Sequence, residues 1–234
     1  MKILPKRLTK AEKAQLIGAL EKQQASVVRK FIGSGWNPSE LIGGENPLNF
    51  CDTTSFVKLL IGAGANVNSG QDNWTPLLLN CDLGKKDIVA LLIKHGADVN
   101  RAYSKRHDPQ IPFETTPLMK AAGHDYLEVV KLLLGAGAQI NAVDEHGHNA
   151  LFRALYSDMP SVAKELIRCG GKLSDDAIGG PVYHGNAELV KLLIKKKANV
   201  NCVFRAFEQK GLFITGETPL GCAVSKVGVF DYPV

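Results

Sequence analysis

No stretch of about 18 apolar residues occurs anywhere in this 234-residue chain, so no segment is expected to cross a bilayer as a helix. Its opening, Met1-Lys2-Ile3-Leu4-Pro5-Lys6-Arg7, carries charge with no apolar stretch behind it, and a secretory signal is not expected there. The five cysteines (51, 81, 169, 202 and 222) are odd in number and scattered, with no Cys-x-x-Cys spacing. They read as reduced thiols and point to a cytoplasmic protein. Asn73-Trp74-Thr75 is formally a glycosylation acceptor, but without a secretory route it reads as a turn that leads into a helix cap.

The signatures of catalysis are missing as well. There is no Gly-x-x-x-x-Gly-Lys-Ser/Thr phosphate loop and no His-Glu-x-x-His. Gly62-Ala63-Gly64 and Gly135-Ala136-Gly137 begin like a dinucleotide loop, yet each follows a helical pattern and lacks the third glycine. His146-Gly147-His148 is the nearest thing to a metal pair, but a site needs three or four converging ligands and no partner stands at a recognisable spacing. Cys51 or Cys81 as a nucleophile would need a paired base that the sequence does not reveal. No cofactor, no metal and no enzymatic activity are expected.

What the chain does have is a recurring block. It reads Phe56-Val57-Lys58-Leu59-Leu60-Ile61-Gly62-Ala63-Gly64-Ala65-Asn66-Val67-Asn68 and returns from Ile88 to Asn100, from Val129 to Asn141 and from Leu189 to Asn201. Weaker copies surround Val27-Val28 and Val162-Ala163. The anchors Val28, Val57, Val89, Val130, Ala163 and Val190 are 29, 32, 41, 33 and 27 residues apart. The body of the unit is therefore fixed and its connection variable, as in stacked repeats that bury apolar faces on their neighbours. Leu133 and Leu193 hold equivalent core positions in this register.

Thirteen residues before most anchors another helix begins. Thr75-Pro76-Leu77 and Thr116-Pro117-Leu118 show it best, Asn149-Ala150-Leu151 is a variant, and Thr218-Pro219-Leu220 opens a last copy. Threonine or asparagine caps the free amides, proline sits where its missing N–H costs nothing, and leucine is the first core residue. Pro47 and Ala177 mark two more starts. The glycines at 64, 96 and 137 are placed to end the second helix in the left-handed conformation.

Helix, turn, helix and an extended Ala-x-Val-Asn segment resemble the ankyrin repeat, with its period of about 33 residues and its Thr-Pro-Leu opening. The likeness runs from about Gln15 to Ala223. It implies an all-α solenoid whose connections form finger-like turns beside the inner helices and make a concave partner-binding face. By this reading residues 1–40 are a basic N-terminal capping repeat, 41–225 the array, and 226–234 an incomplete C-terminal cap or tail. Asp231-Tyr232 stands where the aliphatic anchor pair of a second helix should be, with Pro233 after it, so the tail is expected to fold back on Val229, Phe230 and Tyr232, to fray, or to mark a fragment or an end for self-association.

Residues 1–40 hold eight Lys or Arg and three Glu, and the rest of the chain is balanced. Either this surface meets an anionic partner or it is the solvated face of a cap. Aromatics do not interleave with the basic residues and no nucleic-acid-binding motif appears, so no nucleic acid is expected.

From anchor to next helix start the connections run 19, 19, 28, 20, 14 and 29 residues, and the two long ones carry the aromatic and basic residues suited to interface hot spots. The expected partner-binding residues are Trp74, Arg101, Tyr103, Arg106 and Phe113, then Glu145 and His146, then Phe204, Arg205 and Phe207. Phe207 is equally open to folding back on its own repeat. The resemblance implies a non-enzymatic scaffold for protein–protein interaction. The alternatives are a targeting module of a larger enzyme and a basic, nucleic-acid-associated repeat protein.

Overall fold

A computed structural model describes residues 8–105, 111–112 and 114–201. Within them the chain forms eleven α-helices, and no strand occurs among the described residues. Two compact units result, Met1–Ala121 with Glu128–Gln139 and Ala122–Leu127 with Ile140–Val234.

In the first unit, α1 (Lys10–Glu21) and α2 (Ala25–Gly33) pair, then α3 (Thr54–Gly62), α4 (Pro76–Asp82) with α5 (Lys86–Lys94), and α6 (Pro117–Ala122) with α7 (Leu127–Gly135). The second unit holds α8 (Ala150–Tyr156) with α9 (Pro160–Arg168) and α10 (Gly179–His184) with α11 (Ala187–Lys195). Capping follows the sequence. The Thr75 hydroxyl accepts from Leu78 N at 3.2 Å with Pro76 at the first helical position, and Thr116 serves Met119 N at 3.3 Å. Val28, Val57, Val89, Val130 and Ala163 are fully buried, as are Leu133 and Leu193. Gly64, Gly96 and Gly137 take φ of 97°, 83° and 88°, a region that costs other residues about 1–2 kcal/mol. Lys197 stands at the same place in the last described repeat with φ 61°.

Helix α1 begins at Lys10, where Thr9 and Glu12 form a complete capping box. Two helix starts differ from expectation. At Pro47 only a 3-10 turn, Pro47–Phe50, forms. Three fewer residues separate Pro47 from the next helix than separate Pro76 from α5, so one turn of helix is lost. Helix α10 begins at Gly179 instead of Ala177. There Gly180 lies so close to the backbone of Leu155 and Tyr156 that a Cβ would collide with it. The Thr218-Pro219-Leu220 start and the 226–234 cap, tail or self-association end lie outside the described residues.

The asparagine that closes three of the blocks has a definite task. Asn68 Nδ2 donates to Gly96 O at 2.9 Å while its Oδ1 accepts from Asp98 N at 2.8 Å. Asn100 does the same with Gly137 O and Gln139 N, and Asn141 with Gly170 O and Lys172 N. Asparagine suits the position because one side-chain amide both donates and accepts. Asn66 and Asp98 prepare it, each accepting the N–H two residues on at 2.9 Å. Where Asn46 and Asn149 replace threonine as caps, their amides also reach the next segment, at Asn66 O (2.8 Å) and Lys172 O (2.9 Å). These bonds fix the connections from which the fingers spring.

Candidate partner-binding surface

In the first unit the finger ahead of α4 turns through Gln71–Asn73, with Asp72 and Asn73 both left-handed at φ 50° and 61°. Short polar side chains tolerate this region better than most. The following long finger closes on itself, Tyr103 N donating to Thr115 O at 3.0 Å and Glu114 N to Tyr103 O at 2.8 Å. It is joined to its predecessor by Ser104 N donating to Asp72 O at 2.8 Å and Arg101 Nε to Asn73 Oδ1 at 3.0 Å.

At this junction Trp74 is half-buried. The Tyr103 ring meets it edge-on, centroids 5.6 Å apart and planes at 82°. Lys120 of α6 places its Nζ 5.5 Å from the indole centroid and 3.2 Å from the Asp82 carboxylate of α4. The result is an aromatic surface edged by a cation and an anion, with Arg101 exposed beside it.

In the second unit the finger ahead of α8 is organised by Asp144, whose side chain is fully buried. Its Oδ1 accepts from His146 N at 2.9 Å and His148 N at 3.0 Å, and its Oδ2 takes the Arg153 guanidinium. His148 lies flat on Phe152, centroids 3.8 Å apart and planes at 8°. Burial holds the His148 imidazole below its ordinary pKa, against the opposing pull of Asp144 and Asp176. Glu145 and His146 are left at the exposed tip.

The structure therefore gathers Trp74, Arg101 and Tyr103 in one place but turns Tyr103 inward, with 6% of its surface exposed. Tyr103 was expected as a projecting contact. It is instead packed core of the finger base, because the hydrogen bonds to Glu114 and Thr115 pull its backbone in. Glu145 and His146 belong to a separate finger. Arg106, Phe113, Phe204, Arg205 and Phe207 lie outside the described residues. Sequence reasoning missed Lys120, Asp82, Asp144 and Arg153. The only available signal was a charged residue breaking an otherwise apolar short helix, as at Asp82 and Lys120.

Cys51 and Cys81 are buried, and burial pushes the Cys51 thiol up to about 12 and Cys81 higher still. Such thiols stay protonated at neutral pH and are poor nucleophiles. Among the described residues no three His, Cys, Asp or Glu side chains are grouped to hold a metal ion. Among the same residues no helix is long and apolar enough to cross a membrane.

The family description "Ankyrin repeats (3 copies)" matches residues 16–103 and 101–176, well over half of the chain. The chain belongs to the ankyrin-repeat family. Relatives include human ankyrin repeat and SOCS box protein 6, 37% identical over 102 residues, which are 43% of this chain and 23% of that protein. The Drosophila melanogaster transient receptor potential cation channel subfamily A member 1 is 32% identical over 130 residues, 55% of this chain and 11% of the channel. A putative ankyrin repeat protein of fowlpox virus is 26% identical over 172 residues, 72% of this chain and 39% of the viral one. The chain thus spans less than a quarter of the SOCS-box relative. Ankyrin repeats generally mediate protein–protein interaction.

Proposed function

We propose that the chain is a non-enzymatic scaffold that binds another protein through its finger bases and the concave face of its inner helices, and that it works in the cytoplasm. The observation that supports this most is the half-buried Trp74 held among Tyr103, Lys120 and Asp82, with Arg101 exposed at its edge. Large aromatics flanked by desolvated polar groups are what interface hot spots consist of. Hydrogen bonds between the two fingers hold this surface in place before a partner arrives, so little ordering entropy is lost on binding. Glu145 and His146, raised on the Asp144 turn, form a second contact point in the other unit. Residues 1–40 serve as the basic cap of the array.

Affinity capture of partners on the intact chain, followed by mass spectrometry, supplies the ligand for the test. Arg101→Ala and His146→Ala are then expected to weaken binding by about 1–2 kcal/mol with urea denaturation unchanged. Binding that survives both substitutions would remove the fingers from recognition. A steep loss of affinity with salt for nucleic acid would favour the basic, nucleic-acid-associated reading instead.

A further inference from the structure

The second helices α2 and α3 of the first unit leave a groove of about 660 Å³ that the finger surface does not use. Its apolar lining is Ile32 and Leu59, both half-buried, and its edges carry the exposed cations Arg29 and Lys58. The groove has a cause in the repeat register. Five residues after the anchor, α5, α9 and α11 end in Lys94, Arg168 and Lys195, whereas α2, α3 and also α7 have Gly33, Gly62 and Gly135. A Cβ at Gly33 or Gly62 would meet nothing within 4 Å, so at this position two successive helices carry no side chain beside the groove.

Charge in the groove is unbalanced for a related reason. The residue after the anchor is Arg29, Lys58, Lys131, Lys164 or Lys191, with Ala90 the exception. In α7 and α11 an acid two residues before the anchor answers such a cation, whereas α5 has Asp87 and α9 has Ser161 there. Glu128 lies 2.9 Å from Lys131, and Glu188 lies 2.6 Å from Lys164 on the preceding second helix. In α3 the corresponding residue is Ser55, which lines the groove with Arg29 and Lys58. Neither cation has an ion pair among the described residues.

We propose that this groove docks an acidic amphipathic helix of a partner protein. Its carboxylates sit between Arg29 and Lys58, where Ser55 stands in the place Glu188 holds in α11, and its apolar stripe covers Ile32 and Leu59. A helix fits because residues three and four apart share a face, so glutamates and leucines at that spacing present charge and apolar surface together. The surface is separate from the finger bases and serves a second contact.

The test is fluorescence anisotropy on the intact chain with a labelled amphipathic helical peptide bearing glutamates beside a leucine stripe, and with the same peptide carrying glutamines. The glutamate peptide is expected to bind about tenfold more tightly than the glutamine peptide, the scale of two surface charge pairs. The same loss is expected for Arg29→Gln combined with Lys58→Gln. Ser55→Glu refills the vacant acidic position from within, so it is expected to weaken binding as much while its melting temperature stays equal or rises. Trp74→Ala is expected to leave peptide affinity unchanged. No binding, equal affinity for the two peptides, full affinity in Ser55→Glu, or loss of affinity in Trp74→Ala would each overturn the assignment.

Discussion

Replacing Asp144 by asparagine isolates one charge in the second-unit finger. The carboxylate uses Oδ1 for two backbone amides and Oδ2 for Arg153, and its side chain has no exposed surface. Asparagine keeps an acceptor for the His146 and His148 amides but aims an N–H donor at the guanidinium. The loss is one charge-assisted hydrogen bond, about 1.5–3 kcal/mol. Asp144→Ala strands all three donors and leaves Arg153 without its partner, for about 3–5 kcal/mol. Urea denaturation near neutral pH measures both, and hydrogen exchange at the His146 and His148 amides separates them, since only the alanine variant should expose those amides. The pH dependence adds a signature. Burial depresses the His148 pKa, so the unfolded chain takes up this proton more readily than the folded one. Its contribution is present above the ordinary histidine pKa of about 6.5 and is lost as pH falls through the folded value. Asparagine removes the Asp144 pull that favours the imidazolium, lowers the folded value further, and should steepen the loss of stability in mild acid. A stability for Asp144→Asn within about 0.5 kcal/mol of the parent, with both amides unchanged in Asp144→Ala, would refute this account of the finger.

Tyr103→Ala removes a buried ring from the Trp74 contact, and about 3 kcal/mol of stability should go with it in urea denaturation; an unchanged midpoint would show that the ring contributes no packing. Leu133→Ala and Leu193→Ala each empty a fully buried position and should cost about 2–5 kcal/mol, read by denaturation and local hydrogen exchange as separate partial losses. An unchanged curve for Leu133→Ala would contradict its place in the core. Lys197→Gly relieves a left-handed residue and should raise stability by about 1 kcal/mol, whereas a lower melting temperature would show that the lysine side chain matters more than its backbone.

Helical positions were largely legible in the sequence because they depend on neighbours within one turn. The Thr75 and Thr116 caps, the anchors Val28, Val57, Val89, Val130 and Ala163 and the left-handed glycines fall where spacing placed them, while the anchor Val190 is only half-buried. Pro47 was harder: its cap and proline match those of a full helix, and only the shorter distance to Thr53 betrays the missing turn. Loop length announced the long finger at 101–115 but carried no information about direction, so Tyr103 was read as projecting when its backbone is drawn inward. The roles of Asn68, Asn100 and Asn141 were invisible for a different reason. Their partners lie roughly 30 to 40 residues onward, where no local rule of caps or periodicity reaches. Asp144 and Lys120 belong to the same class, since a single charge in a short element declares neither its burial nor its partner.

That asparagine link bears on how such a chain can change its length. At three successive joins a repeat extends an asparagine amide, from Asn68, Asn100 or Asn141, toward a glycine carbonyl and a nearby N–H of the repeat after it, while Ser39 and Ser174 hold the same place in two other copies. The joint uses backbone groups on the receiving side, so it is indifferent to which side chains the next copy brings. Duplicating or deleting a whole copy in register restores the same joint at the new boundary. Surfaces can then diverge from copy to copy, as the Trp74 and Asp144 fingers have, while the same joint recurs at these three boundaries.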